Sequence, residues 1–236
     1  MVINSHYRFI FVHVPKTAGT SVTRSLQGIE GNNKRWLART KHETLAEFHE
    51  NIEGRLSPGD LASGMHPRAF STFAFVRNPW DRMSSFYRYL VEKRPRAEIS
   101  GVAGFRDFLD QAESGVAWIQ ALHSMRSQLD YFTFPNGKMA LDFLGHFEHL
   151  ADDLGSVSRL TGISLAIGQE NASSNRGGDY RRDYDADMAE KVAARFHEEI
   201  ALFGYAFDEP GPSRRCSARL DDDRNRLVMP PGSPAI

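Results

Sequence analysis

The sequence has almost no cysteine, no marked excess of charge of either sign, and no long apolar run. Cys216 is the only cysteine among 236 residues, which excludes an intrachain disulfide and favours a reducing compartment. The formal net charge of -1 argues against a nucleic acid or an acidic membrane as a general partner. Residues 1–8 do not form a basic and then apolar leader, and no other segment is apolar for long enough to cross a bilayer. We therefore expect a cytoplasmic protein without a membrane span.

Short apolar runs that alternate with helical patterns are the main structural signal. Residues 9–14 and 73–76 are rich in β-branched and aromatic side chains, and a turn and a helical pattern follow each run. Residues 139–144 form a third apolar run. Apolar residues then recur every three or four positions over 188–203, which predicts one amphipathic helix there.

This alternation predicts an α/β fold with a central, mainly parallel sheet flanked by helices. The composition is 41% hydrophobic and 25% charged, which suits a single domain, and we place that domain at residues 1–207. Residues 208–236 are rich in proline, glycine and mixed charge and predict a flexible C-terminal tail.

The segment between the first strand and the first helix has the composition of an anion-binding loop. It consists of Pro15, Lys16, Thr17, Ala18, Gly19, Thr20 and Ser21. Backbone N–H groups and the partial positive charge of a helix N-terminus can hold a phosphate there, and Gly19 allows close approach of the backbone. The lysine precedes the glycine, so this is not the Walker pattern. The alternative is an ordinary β-α turn with Lys16 in solvent.

The second strand ends in an arginine at the start of a helix. Pro79 suits the first helical position, and Ser85 then lies on an early turn. The planar guanidinium of Arg77 suits a dianionic phosphate, whereas P-loop kinases usually end this strand in an aspartate that helps to hold Mg²⁺. A nucleotide with an extra phosphate and no obligatory metal is therefore favoured. The alternative is that Arg77 pairs with Asp81 and Ser85 is a hydroxyl on the helix surface.

These two motifs, P-K-T-A-G-T-S and F-V-R-N-P-W-D-R-M-S-S-F-Y, resemble the family of sulfotransferases that use 3'-phosphoadenosine-5'-phosphosulfate (PAPS). The branch is that of carbohydrate 2-O- and 4-O-sulfotransferases, and the likeness spans residues 9–207. It implies a P-loop-like sulfotransferase fold, PAPS as the sulfuryl donor and 3'-phosphoadenosine 5'-phosphate (PAP) as the product. By the same resemblance, Lys16 contacts the bridging oxygen of PAPS, the loop holds the 5'-phosphate, and Arg77 and Ser85 bind the 3'-phosphate. Arg176 corresponds to a basic loop over the nucleotide, or else lies in an ordinary surface loop.

Sulfuryl transfer to a hydroxyl also needs a proton acceptor, and histidine suits this role at neutral pH. His66 lies in G-M-H-P ahead of the second strand, where family members with a histidine base carry it, so we predict Lys16 and His66 as the catalytic residues. A loop histidine without a role is the alternative. His13 falls within a strand and is expected in the core, whereas Asp81 and Glu148 are lesser candidates for the base.

His146 and His149 have the H-x-x-H spacing of metal ligands, but no further ligand completes such a site, and we predict none. Two rival functions remain. A P-loop small-molecule kinase would need ATP and Mg²⁺, and a non-catalytic nucleotide-binding protein would bind PAP without transfer. The acceptor, a small molecule or a carbohydrate, and the oligomeric state are left open by the sequence.

Overall fold

The computed structural model describes residues 1–31, 38–63, 65–93, 97–165, 179–209, 211 and 212. They form two compact units, the first from residues 1–76 and 128–165 and the second from 77–127 and 179–209. The single domain predicted over residues 1–207 stays a prediction. Arg176 and nearly all of the predicted tail lie outside the described residues. No helix in the described part of the chain combines the length and the apolar character that a membrane crossing requires.

A four-stranded sheet lies in the described residues of the first unit. In chain order and in spatial order, its strands are β1 (Val2–Asn4), β2 (Phe9–Val12), β3 (Ser71–Val76) and β4 (Phe143–His146). β1 runs antiparallel to β2, whereas β2, β3 and β4 are parallel to one another. The predicted α/β class with a mainly parallel sheet is thereby confirmed.

The described helices, in chain order, are α1 (Gly19–Gln27), α2 (Leu45–Glu53), α3 (Pro58–Ala62), α4 (Pro79–Lys93), α5 (Phe105–Glu113), α6 (Ala117–Gln120), α7 (Leu150–Thr161), α8 (Ala186–Arg195) and α9 (His197–Phe203). α1, α2, α3 and α7 belong to the first unit, and the others belong to the second. Strand, loop and helix follow one another twice, as β2 with α1 and as β3 with α4. Both repeats were predicted from the sequence.

The core of the first unit forms where α1 and α7 cover one face of the sheet. The rings of Phe11 and Phe73 stack there on neighbouring strands, with their centroids 5.3 Å apart. Val22 of α1 and Val157 of α7 are fully buried in the same cluster. Burial of a side chain of this size contributes about 1.5–3 kcal/mol, which explains why apolar runs of only a few residues suffice to define the strands.

Two of the predicted strand boundaries are wrong. The first strand ends at Val12 rather than at residue 14, because the N–H of Val14 donates to the carbonyl oxygen of Val12 and so leaves the ladder. The third apolar run, residues 139–144, also begins earlier than the strand that forms there. Met139 pairs with Thr133 in an isolated antiparallel bridge, and the parallel strand begins only at Phe143.

The single amphipathic helix predicted over 188–203 is wrong as well, because the chain forms α8 and α9 with a break at Phe196. The backbone of Phe196 has ψ 27°, outside the helical range. Its ring lies under the guanidinium of Arg82, 4.7 Å from the ring centroid. Arg82 also pairs with Glu199 of α9, and neither side chain is exposed. Apolar periodicity continues through the break, so the sequence pattern does not show it.

Candidate functional site

The loop between β2 and α1 has an unusual backbone. Lys16 and Ala18 have positive φ angles, 69° and 61°, although neither is a glycine. Such left-handed residues are uncommon outside glycine and concentrate at functional sites. Where left-handed and ordinary residues alternate, successive N–H groups turn towards one concavity that suits an anion. The predicted anion loop therefore has the backbone that such a loop needs.

The N-terminus of α1 lacks a side-chain cap, as do those of α5, α6, α7 and α9. Its N-cap residue is Ala18, which forms no side-chain cap, and the first turn carries no acidic residue. By contrast, Thr44 caps α2 and Ser57 caps α3, each in a complete capping box. Because the first N–H groups of a helix need partners and carry partial positive charge, the start of α1 suits a bound anion better than the other two helix starts.

Buried contacts hold the loop in shape. The Thr17 side chain is fully buried, and its hydroxyl donates to the carbonyl oxygen of Val14 at 3.0 Å. Gly19 lies directly against the imidazole of His13, since a Cβ at position 19 would be 2.3 Å from two of the ring atoms. Burial lowers the pKa of His13 to about 2, so this ring is neutral at physiological pH. As the sequence predicted, His13 is a core residue that supports the loop.

The other predicted loop residues differ in their exposure to solvent. Pro15 is buried, Lys16 and Ser21 are half-buried, and Thr20 is exposed at the first turn of α1. The hydroxyl of Thr20 accepts a hydrogen bond from the Nζ of Lys41 at 3.0 Å. Lys41 thus brings a second positive charge to the start of α1. Sequence reasoning missed this residue because it lies in a polar segment without a recognisable pattern.

His42 is a second residue at the loop that the sequence did not indicate. Its Nδ1 lies 3.0 Å from the carbonyl oxygen of His13, and the two imidazole rings meet edge to face with their centroids 4.8 Å apart. The side chain is partly exposed. The adjacent Lys-His pair in a polar stretch is the only signal that could have drawn attention to it.

Arg77 lies in the second unit, directly after β3 in the chain. Its side chain is nearly buried and binds Asp81 through two contacts, Nε to Oδ2 at 2.8 Å and Nη2 to Oδ1 at 2.7 Å. The ion pair with Asp81 that the sequence left open is therefore present. α4 begins at Pro79, as predicted, and Ser85 is half-buried on it.

Asn78 positions the start of α4, and the sequence analysis overlooked it. Its Oδ1 accepts a hydrogen bond from the N–H of Trp80 at 3.0 Å, and its Nδ2 donates to the carbonyl oxygen of Ala206 at 3.2 Å. Asparagine ahead of a proline is a recognised helix-start signal, so this role could have been predicted from the sequence.

His66 lies in the first unit among charged side chains of α2 and the following segment. Its Nδ1 accepts a hydrogen bond from the backbone N–H of Arg68 at 3.1 Å, and its Nε2 is 3.9 Å from Glu53. Arg68 pairs with the same glutamate at 2.8 Å. His66 therefore caps a short turn and shares an ion-pair cluster.

The histidine pair with metal-like spacing takes structural positions. His146 is buried at the end of β4, where its backbone N–H donates to the carboxylate of Asp153 at 2.7 Å. His149 directly precedes α7. Within the described ranges, no three histidine, cysteine or acidic side chains form a group suited to a metal ion. The absence of a metal from the reaction stays a prediction.

Comparisons with known proteins give one match. The family model described as "Sulfotransferase family" matches residues 1–206. No curated protein and no solved structure matches the chain. The matched residues include the predicted anion loop, Arg77 after β3 and the five histidines described above.

Proposed function

This chain belongs to the sulfotransferase family, and we propose that it moves a sulfuryl group from PAPS to a hydroxyl of its acceptor. The observation that carries the proposal is the loop between β2 and α1. Two left-handed residues, Lys16 among them, and an uncapped helix start support its assignment as an anion-binding loop. A phosphosulfate carries the charge that such a loop binds.

We assign the parts of the donor as the family resemblance implies. The loop residues 15–21 would hold the 5'-phosphate, and Lys16 would stabilise the negative charge that develops on this phosphate as the sulfur–oxygen bond breaks. Arg77 and Ser85 would bind the 3'-phosphate. A guanidinium has five N–H donors, so Arg77 can pair with Asp81 and still contact a phosphate. The ion pair would orient the guanidinium for that contact.

The chain order of the sheet supports the use of both motifs by one donor. β2 and β3 are parallel neighbours, so their carboxyl ends lie at the same edge of the sheet. The anion loop follows one strand and Arg77 follows the other. In open α/β sheets, ligands bind outside the carboxyl ends of the strands.

A carbohydrate acceptor is the proposal that suits the branch of the family, and His66 is the base that the sequence predicts.

Thermal unfolding with PAP, in the presence of a chelator, tests the donor. A ligand that binds only the folded state stabilises it by about 2.7 kcal/mol at a hundredfold excess over its Kd, so PAP should raise the Tm without added metal. ATP with Mg²⁺ should raise the Tm much less than PAP does. Stronger stabilisation by ATP with Mg²⁺ would instead identify a kinase, and PAP binding without any sulfuryl transfer would identify a non-catalytic protein.

The phosphate assignments are tested by two variants. Arg77→Ala should weaken PAP binding by on the order of 2 kcal/mol, as the loss of a charge-assisted contact does. It should leave the binding of adenosine 5'-phosphosulfate almost unchanged, because that ligand has no 3'-phosphate. Lys16→Ala should weaken the binding of both ligands. Equal losses for both ligands in Arg77→Ala would mean that Arg77 serves only its pair with Asp81.

A further inference from the structure

The side chain of Lys41, which lies in the segment before α2, extends to the first turn of α1. Its Nζ donates a hydrogen bond to the hydroxyl oxygen of Thr20 at 3.0 Å. The two residues are 21 positions apart in the chain, and both are exposed to solvent. This contact places a positive charge at the start of the helix that follows the anion loop.

Buried contacts anchor the backbone on both sides of Lys41. The carboxylate of Glu43, which is 4% exposed, accepts hydrogen bonds from the backbone N–H of Arg39 at 2.7 Å and from the side chain of Asn51. Thr44 then caps α2. The position of Lys41 is therefore fixed by the fold of the segment and does not depend on its contact with the helix alone.

A second contact ties the same segment to the residues that support the loop. The Nδ1 of His42 lies 3.0 Å from the carbonyl oxygen of His13, whose ring packs against Gly19. Burial, together with repulsion from His42 and Lys41, lowers the pKa of His13 to about 2. The charge of Lys41 therefore acts on the ring that supports the loop as well as on the first turn of α1.

The contact with Lys41 determines the direction of the O–H bond of Thr20. An ammonium group only donates, so the oxygen of Thr20 accepts this hydrogen bond, and its own proton must point away from the ammonium. Among the residues that the structure describes, Lys41 is the sole hydrogen-bond partner of this hydroxyl. The hydroxyl can therefore donate to a bound anion without giving up another acceptor.

Thr17, the other threonine of the loop, is arranged differently. Its hydroxyl is fully buried and donates to the carbonyl oxygen of Val14, so its proton is used within the fold. Of these two threonines, Thr20 is thus the one that can offer a hydroxyl proton to a ligand.

We propose that Lys41 is a positioning residue of the donor site, which orients the hydroxyl of Thr20 towards the 5'-phosphate of PAPS and adds a positive charge beside it. This inference rests on the proposed function, in which the loop holds that phosphate. A donor that is already oriented needs no rearrangement when the anion binds, and a nearby charge strengthens its hydrogen bond. Lys16 serves the phosphate directly in the proposed function, whereas Lys41 acts through Thr20.

Calorimetric binding of three nucleotides tests this role without an acceptor. PAP carries both phosphates, adenosine 5'-phosphosulfate lacks the 3'-phosphate, and adenosine 3'-monophosphate lacks the 5'-phosphate. Lys41→Met should weaken the binding of the first two ligands about tenfold, as the loss of one charge-assisted contact does. It should leave the affinity for adenosine 3'-monophosphate within about twofold of wild type, because that ligand has no group for Thr20 to bind.

Two further variants serve as controls. Lys41→Arg keeps a cationic donor and should recover most of the affinity for PAP. Lys138→Met removes an exposed lysine of the first unit and changes the net charge by the same amount as Lys41→Met. It should leave the binding of all three ligands unchanged, and a loss of PAP affinity equal to that of Lys41→Met would overturn the inference.

The coupling between positions 41 and 20 separates a role through Thr20 from a direct contact with the ligand. Thr20→Val removes the hydroxyl and keeps the shape of the side chain. In that background, Lys41→Met should weaken PAP binding by about twofold or less, because the contact that it removes is already absent. An equal loss in both backgrounds would contradict the positioning role.

The remaining outcomes distinguish this inference from the proposed function. A weaker affinity of Lys41→Met for adenosine 3'-monophosphate, together with a lowered Tm in the absence of ligand, would show a structural role instead. If the wild type and Lys41→Met bind PAP equally well, the inference fails and the proposed function stands. If the wild type does not bind PAP, the proposed function itself fails. Should adenosine 3'-monophosphate bind too weakly for calorimetry, the coupling with Thr20 decides.

Discussion

Alanine at position 19 should strain the anion loop at a single, known contact. Its Cβ would lie 2.3 Å from Cδ2 and Nε2 of His13, whereas ordinary carbon contacts are at about 3.5–4.0 Å, so one side must move by about 1 Å. The ring cannot withdraw easily, because His13 is 2% exposed and packs between Phe11 and His42. Overpacking of this kind costs about 1–3 kcal/mol, and the better helix propensity of alanine returns less than about 1 kcal/mol.

We therefore expect Gly19→Ala to lower the free energy of unfolding by about 1–2 kcal/mol, measured by urea denaturation at pH 7. Gly28→Ala, at the other end of α1, is the matched control. Gly28 has a right-handed backbone, and a Cβ there meets nothing within 4 Å, so its effect should stay within about 0.5 kcal/mol.

A double variant isolates the contact. His13→Ala removes the ring atoms that the new methyl group would meet, so Gly19→Ala should cost much less in that background than in the wild type. The reasoning is refuted if Gly19→Ala is as stable as Gly28→Ala, or if the two substitutions at 13 and 19 prove additive.

Two further predictions concern stability. Glu199→Ala leaves the buried guanidinium of Arg82 without its carboxylate and should cost about 3–5 kcal/mol in urea denaturation. Asp187→Ala, in the exposed pair with Arg106, should cost much less, and similar losses in the two variants would contradict this reasoning. Burial lowers the pKa of His49 to about 4, so the unfolded chain binds more protons below about pH 6.5, and stability should fall as the pH drops from there towards 4. His49→Phe should make that part of the pH–stability curve less steep, and an unchanged slope would contradict the assignment.

Local sequence patterns were enough to predict the fold class and the family. The strands β2 and β3 are short apolar runs that are almost wholly buried, and Pro79 marks the start of α4 where expected. The resemblance to the family was recognised from two motifs, each of which is continuous in sequence. Each of these signals lies within a few adjacent residues, so no knowledge of distant contacts is needed to see it.

The sequence could not show which side chains meet across long separations. It missed β1, whose three residues pair with β2 only at the edge of the sheet, and it ran one helix through the break at Phe196. It also could not show that His42 contacts the carbonyl oxygen of His13, because these residues are far apart in the chain.

The sequence by itself therefore determined the sulfotransferase family and the mainly parallel α/β class, because these depend on runs and spacings of neighbouring residues. Tertiary structure alone decided the surroundings of each functional group. His42 meets the carbonyl of His13 across 29 residues, and Arg82 meets Glu199 across 117. Such contacts depend on how the chain folds back on itself, and no local periodicity records them.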